Sequence, residues 1–405
     1  MEGGVTQMER VLTTELTEHV GSRVLVLGWL QRERRLATVA FALVRDRAGL
    51  AQVVLERPLA LAPETVVEVE GTVVASAQAP GGVELQDAES RVIAAAAAPL
   101  PVELHRPEPR ETLPVRLDHA AVALRHPHVR DRFRIAARSA AAFRAALDAR
   151  GFVEIQTPKV VASATEGGAN VFRLDYFGRD AYLAQSPQFF KQTMVGVFER
   201  VYETGPVFRA EPHETRRHLA EYVSLDAEMG FVRDHRDVIA LVGDVVRAML
   251  EAVGERAPDE IPILHFEDVS EGDEPDLSPA DERRICAEHG ELVFVEGFPT
   301  EKRPFYTHPD PSRPGFSRGF DLLFRGLEIV TGGQRLHRHE DYLAALAERR
   351  LDPSPFAGYL EAFRYGMPPH GGFALGLERF TAQVLGLGNV REATLFPRDR
   401  ARLSP

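Results

Sequence analysis

The sequence contains one cysteine, Cys286, in 405 residues. That excludes an internal disulfide and a cysteine-rich zinc site, and it suits a reducing compartment. No apolar run approaches the length of a membrane span, and Met1-Glu2-Gly3-Gly4 lacks the basic-then-apolar pattern of a secretion signal. A cytoplasmic protein with no membrane partner is expected. An excess of positive charge is missing too. The formal net charge is −12, which argues against broad coating of nucleic acid, because phosphate binding needs clustered Lys and Arg. No fixed-period repeat is visible. What remains is 44% hydrophobic content, enough for a sizeable core and two domains.

The N-terminal part reads as strands. Residues 13–20 suit a short helix capped at Thr13 or Thr14, and strand-like runs follow at 23–31, 39–45, 50–55, 65–75 and 83–94. Turn chemistry separates them at 46–49, 58–63 and Pro80-Gly81-Gly82. Five strands in so short a span predict a small closed barrel, most economically an OB-fold. Arg23, Arg32, Arg34, Arg35, Arg45 and Arg47 stand against only Glu33 and Asp46 in this stretch, with Trp29 and Phe41 among them. Arg beside an exposed aromatic is how such barrels stack single-stranded bases. The competing reading puts both rings in the barrel core, Trp29 more readily than Phe41. Five Pro within 99–114 then mark an extended spacer.

Beyond it, 133–150 has helical spacing closed by Gly151, and 152–158 is a short strand ended by Pro158. An apolar run at 201–208 enters a loop dense in Arg, His and Glu, and alternation resumes at 222–229. This reads as strand, charged loop, strand: cations for a polyphosphate and carboxylates for a base edge or an amino group. An ordinary solvated hairpin tip is the bland alternative. Gly371-Gly372-Phe373-Ala374-Leu375-Gly376-Leu377-Glu378-Arg379 is a glycine-lightened strand entering a helix near Glu378, where free N–H groups favour an anion.

The three elements resemble motifs 1, 2 and 3 of class II aminoacyl-tRNA synthetases: helix, strand and Pro158; Phe208-Arg209-Ala210-Glu211; and Gly376-Leu377-Glu378-Arg379. More narrowly, the chain resembles aspartyl-tRNA synthetases of the compact archaeal and eukaryotic type. The strings that carry this are Ala164-Thr165-Glu166-Gly167-Gly168, Gln185-Ser186-Pro187-Gln188-Phe189-Phe190-Lys191-Gln192, Thr331-Gly332-Gly333-Gln334-Arg335, Met367-Pro368-Pro369-His370-Gly371-Gly372 and Phe396-Pro397-Arg398-Asp399. The likeness spans nearly the whole chain. It implies an α+β protein with an OB-fold anticodon-binding barrel at 1–103, a linker or hinge at 104–130, and a class II catalytic domain at 131–405 whose antiparallel sheet is flanked by helices. It also implies a homodimer joined through the motif 1 helix and Pro158.

The resemblance implies ATP-dependent activation of L-aspartate with Mg²⁺, then transfer to tRNA-Asp. Arg209, Arg379 and His218 would be the catalytic residues. ATP would meet Arg209, Ala210, Glu211, Arg217, His218, Leu219, Tyr222, Glu328, Gly376, Leu377, Glu378 and Arg379. Tyr222, where Phe is usual, stacks equally well. Mg²⁺ would sit on Glu328 and Thr331, a Thr where Ser is common, with Asp321 a second candidate. Aspartate would meet Glu166, Ser186, Gln188, Phe189, Phe190, Lys191, Arg209, Asp226, Thr331 and Arg335. Lys191 and Arg335 would face its side-chain carboxylate, so that an amide there would leave buried charge unpaired.

In the barrel, Arg34, Phe41 and Gln52 fall at anticodon-contacting positions, and Gln31 and Pro80 at positions tied to discrimination between tRNA-Asp and tRNA-Asn. Pro80 offers neither an N–H nor a cation to a base edge, and Gln31 can donate or accept. Pro80 matches the habit of relaxed relatives while Gln31 matches neither habit but tolerates both bases, and an enzyme that also charges tRNA-Asn is expected. The chain departs from the family at Arg35, where Asp is usual. It departs again at 261–305, where relatives carry a longer helical segment, expected to be peripheral. Three alternatives stay open: a ligase strict for tRNA-Asp, a paralogue using aspartyl-adenylate without charging tRNA, and a non-catalytic tRNA-binding form. Paralogues tend to lose the barrel and decayed copies the motif arginines, and this chain keeps both.

Overall fold

The computed structural model describes residues 8–162, 170–212, 215–271 and 274–404. The chain divides into two compact units, Met1–Val129 and Arg130–Pro405.

The first unit contains the expected barrel. Strands β1 (Arg23–Arg35), β2 (Ala40–Arg45), β3 (Leu50–Leu55), β4 (Val66–Ala75) and β5 (Val83–Ala94) close in the order β1-β2-β3-β5-β4. Alternation turns Val24, Val26, Ala42, Val44, Val53, Val67 and Val69 inward to one apolar core. β1 outruns its apolar pattern. Past a bulge at Leu30/Arg32, its Arg-rich end keeps pairing with β2, so that Arg34 lies opposite Phe41. Trp29 is half-buried outside the core, with the Arg45 guanidinium 5.2 Å from its ring centre. Only Leu16–His19 of the expected first helix forms, as a 3₁₀ turn. The spacer has more order than its prolines suggest. Leu100, Val102 and Leu104 pack against Val122 and Ala123 in a small apolar cluster.

The second unit is built on an eight-stranded sheet. Its strands, numbered on along the chain, are β6 (Val153–Glu154), β10 (Arg200–Phe208), β11 (Glu221–Gly230), β12 (Ile263–His265), β13 (Leu292–Glu296), β14 (Gly319–Phe324), β15 (Leu327–Gln334) and β16 (His370–Gly376). Strands β7 (Val160–Val161), β8 (Arg173–Tyr176) and β9 (Arg179–Leu183) form a separate small sheet. The large sheet runs β12-β13-β14-β15-β16-β11-β10-β6. It is antiparallel except at its two edges, where β12 pairs with β13 and β6 with β10 in parallel.

Helices Pro127–Asp148 and His235–Ala252 cover one face, burying Phe143, Leu147, Val242, Val246 and Met249 against Leu225, Ala227, Phe373 and Leu375. Period-two alternation puts the neighbours of those strand residues on the other face. One rung of that face reads Glu203, Asp226, Ala374, Thr331, Asp321 across β10, β11, β16, β15 and β14. Small residues in β16 keep its centre low. At Gly372 a Cβ would run into the Ala227 carbonyl and the Glu228 carboxylate, so only glycine fits.

Candidate active site

The low face of the sheet is the floor of a cavity of about 420 Å³. Its floor is charged and buried. Lys191, on helix Gln188–Phe198, is 1% exposed; its Nζ donates to Asp226 Oδ1 at 2.9 Å and to the Phe373 carbonyl at 2.9 Å, and lies 3.5 Å from Glu228 Oε2. Arg335 donates through Nε to Glu228 Oε1 at 3.0 Å and through Nη2 to the Gly372 carbonyl at 2.9 Å. Glu228 therefore joins the two cations. Burial alone would favour its neutral acid, but Arg335 and Lys191 outweigh that and hold it below the usual carboxylate range. The Ser224 hydroxyl donates to Asp226. Arg335 and Asp226 line the cavity, whereas Lys191 sits behind Asp226 and is absent from the lining.

Ser186 and Gln188 line the same end. Phe189 points away, stacked on Tyr359 at 4.3 Å in a separate apolar cluster, and half-buried Phe190 also stays out of the lining. Glu166 lies outside the described residues.

The wall above the floor comes from the loop between β10 and β11. Arg209 Nη1 lies 3.9 Å from Glu211 Oε1, with its guanidinium 5.8 Å from the Tyr222 ring centre. His218 Nδ1 is 2.6 Å from Thr215 Oγ1, and its Nε2 is 3.6 Å from Glu211. Burial lowers the His218 pKa, and Arg379, Arg217 and Arg209 add to that against Glu211. Leu219 lines the cavity as well; Ala210 does not, and its N–H is donated to the Asn170 carbonyl. On the far side, Gly376 caps helix Leu377–Val384. Arg379 donates to the Glu328 carbonyl and carboxylate at 3.1 and 3.2 Å, while Leu377 packs into the sheet core. Glu378 accepts from the Val223 N–H at 3.0 Å, and burial raises its pKa to about 7.

Glu328 and Thr331 both line the cavity although they are three residues apart on one strand. In a regular strand that spacing faces opposite sides. A register shift at Leu322/Leu323 adds the residue that brings them together. The Thr331 hydroxyl accepts from Arg303 at 2.9 Å, and Arg303 also binds both Asp321 oxygens, at 3.0 and 2.8 Å. Glu282 accepts from the Glu328 N–H at 3.2 Å and pairs with Arg217. Burial raises its pKa to about 7, with Glu328 pushing the same way and Arg217 opposing. Asp321 is also raised by burial, again with a push from Glu328. Among the described residues no three acidic, His or Cys side chains form a ready-made metal cage. Glu328 still fits a divalent cation: its carboxylate lines the cavity beside the Glu282 and Asp321 carboxyls, each paired with an arginine, and Mg²⁺ typically takes one or two carboxylates together with substrate phosphates.

Four of these residues escape sequence reading. Glu228 has a signal, a second acid two positions after Asp226 in an apolar strand, hence on the same face. Glu282 looks like a surface residue of a capped helix, and Lys302 and Arg303 lie in irregular chain. All three line or abut the cavity from the 261–305 segment that was expected to be peripheral.

In the first unit, Arg34 is exposed opposite Phe41, and Leu43, two positions after Phe41, faces Gln52. The three expected residues therefore share one outer face. Gln52 is tied to Glu84 at 2.8 Å. Gln31 donates to the Leu104 carbonyl at 3.4 Å, and Pro80 opens a 3₁₀ turn before β5.

The family described as tRNA synthetases class II (D, K and N) matches residues 112–400. The chain is 46% identical to the aspartate–tRNA(Asp/Asn) ligase of Thermus thermophilus, across 98% of this chain and 100% of that one. It is 44% identical to the ligase of the same name from Deinococcus radiodurans, across 98% and 99%. Among solved structures, the asparaginyl-tRNA synthetase of Pyrococcus horikoshii complexed with asparaginyl-adenylate aligns with a TM-score of 0.89 at 31% identity, covering 98% of this chain and 100% of that one. One backbone thus serves proteins named for two amino acids, and the choice between them falls to side chains.

Proposed function

The chain belongs to the class II tRNA synthetases (D, K and N), and we propose that it is an aspartate–tRNA ligase. In the first step an α-carboxylate oxygen of aspartate attacks the α-phosphorus of ATP, forming the adenylate as the bond to the β-phosphate breaks and pyrophosphate leaves. In the second, the terminal ribose hydroxyl of tRNA attacks the acyl carbon and AMP leaves. The observation that carries the reading is the buried set Lys191, Asp226, Glu228 and Arg335. The substrate ammonium takes Asp226, and the side-chain carboxylate takes Arg335, with Lys191 adding positive charge from behind Asp226. An amide there would leave a buried cation with half its partners, a penalty that favours aspartate over asparagine.

Arg209 neutralises charge spreading on the reacting phosphate, and Arg217, His218 and Arg379 hold the outer phosphates. The adenine lies on Tyr222 with its amino group towards Glu211. Glu328, with Thr331, would hold a divalent cation, which would supply further neutralisation of the phosphates. In the barrel, Arg34, Phe41 and Gln52 are the anticodon contacts. With Gln31 and Pro80 unsuited to telling C from U, tRNA-Asn is a second substrate, and both named ligase relatives carry tRNA(Asp/Asn) in their names. A cytoplasmic homodimer completes the reading. Aspartate-dependent pyrophosphate exchange, followed by aspartate transfer to tRNA-Asp and tRNA-Asn transcripts at one salt concentration, tests it. Absence of exchange would sink the ligase reading, and a preference for tRNA-Asp above roughly 10³-fold would sink dual charging alone.

A further inference from the structure

A loop as polar as 209–220 would ordinarily meet solvent with its backbone unpaired and open readily. Here the end of the chain holds it. The Ala220 N–H donates to the Arg398 carbonyl at 2.9 Å, and the Ala220 carbonyl accepts from the Arg209 N–H at 2.9 Å. The Val390 N–H donates to the Arg216 carbonyl at 3.0 Å. Arg391 Nη1 donates to the Thr215 carbonyl at 3.3 Å, and Arg400 Nη1 to the Pro212 carbonyl at 3.1 Å. Beneath these contacts, Val390 and Ala393 pack with Leu219 and Tyr222.

The fastening has an anchor of its own. Arg391 Nε binds Asp399 at 2.9 Å, and Asp399 also accepts the N–H groups of Ala401 and Arg402 at 2.9 and 2.8 Å. Burial opposes ionisation of Asp399, but these donors outweigh it and hold the pKa low. Glu392 is tied to Arg132 at 2.6 Å, at the root of the long helix. The route to the cavity is short. Arg391 fixes Thr215, whose hydroxyl contacts His218 Nδ1, and Arg398 fixes Ala220, which holds the Arg209 backbone.

We propose that the segment 390–402 is a strap that holds residues 209–212 and 215–220 of the phosphate-facing loop in place, with Arg391 and Asp399 as positioning residues for ATP. This rests on the ATP site assigned above. None of the contacts given above reaches the floor at Asp226 and Arg335, so the strap touches aspartate binding only through the Arg209 backbone and should affect it less than ATP binding. Loss of the anchor should therefore separate the two substrates, which a general loss of fold would not do.

The test uses Asp399→Asn, with Arg391→Lys as the conservative partner and Arg400→Ala as an exposed variant whose folding is not at issue. Pyrophosphate exchange gives KM for ATP and for aspartate, and tryptic cleavage after Arg216 and Arg217 reports loop opening without any substrate. Asp399→Asn should raise KM for ATP about tenfold, the scale of one lost charged hydrogen bond, with KM for aspartate within about twofold. Cleavage should quicken, and Arg391→Lys should keep part of both properties. Arg400→Ala should quicken cleavage alone or with a smaller rise in KM for ATP. Unchanged cleavage in Asp399→Asn and Arg400→Ala overturns the strap, whatever the exchange assay gives, and equal rises in both KM values overturn its role in positioning ATP. If Asp399→Asn fails to fold, the cleavage rate of Arg400→Ala decides. A parent chain without exchange would instead overturn the ATP reading, a result distinct from either.

Discussion

Two cations and two anions share the cavity floor almost out of contact with water, and each depends on the others for its charge. Lys191→Met removes a partner from both Asp226 and Glu228. Breaking a buried pair costs several kcal/mol, so kcat/KM for aspartate should fall by about 2–4 kcal/mol and the melting temperature should drop as well. A folded variant with near-normal aspartate kinetics would place substrate selection elsewhere. The cations were legible because they sit in distinctive strings. Glu228 was not, because a carboxylate's partners come from strands far apart in sequence. The simplicity of a two-cation pocket thus gives way to a four-charge network in which Lys191 acts from behind Asp226.

Glu378 gives a second test at this scale. Its pKa rises from 4.5 to about 7 on folding because it is buried. A carboxyl raised in this way takes up a proton on folding between those values. Stability therefore falls as pH climbs from about 4.5 to about 7 and stays lower above. Glu378→Gln keeps an oxygen for the Val223 N–H and removes the cost of ionisation. The variant should gain about 1–3 kcal/mol at pH 8 and little at pH 5, read as a melting-temperature difference that opens with pH. A gain equal at both pH values would show that ionisation of Glu378 is not responsible.

Among the elements, β16 owes its place to smallness. Gly372→Ala pushes a methyl group into the Ala227 carbonyl, which is backbone and cannot swing aside, and into the Glu228 carboxylate. Overpacking of this kind costs about 1–3 kcal/mol, so a lower melting temperature should come with a raised KM for aspartate. A rise in KM without destabilisation would mean that only Glu228 moves. The helices, the charged hairpin and the barrel strands were readable from periodicity and turn residues. The motif 1 strand was overestimated, since only Val153–Glu154 pairs. The Arg-rich end of β1 was underestimated, because pairing with β2 overrides its polarity.

For the whole molecule, apolar residues left exposed bear on assembly. Val153 lies on β6 at the sheet edge, and Phe177 is 87% exposed at the β8–β9 turn. Edges and apolar tips of this kind call for cover. Sedimentation at micromolar concentration should give a dimer of 44.9 kDa chains; an active monomer would count against it. Composition set the size and the absence of disulfides, but the pairing of two copies cannot be read from either.

The bulge in β15 can also be put as a matter of parity. Before it, odd and even positions have one assignment to the cavity and the helices; after it, the assignment is exchanged. Drawing Ile329 into the ladder as an ordinary paired residue would abolish the exchange. With Glu328 kept on the cavity side, Thr331 and every later position on the strand would change sides, sending Gly333 towards the helices and its neighbours towards the substrate. One residue of slack, with no chemistry of its own, is what lets Glu328 and Thr331 face one cavity from the same strand.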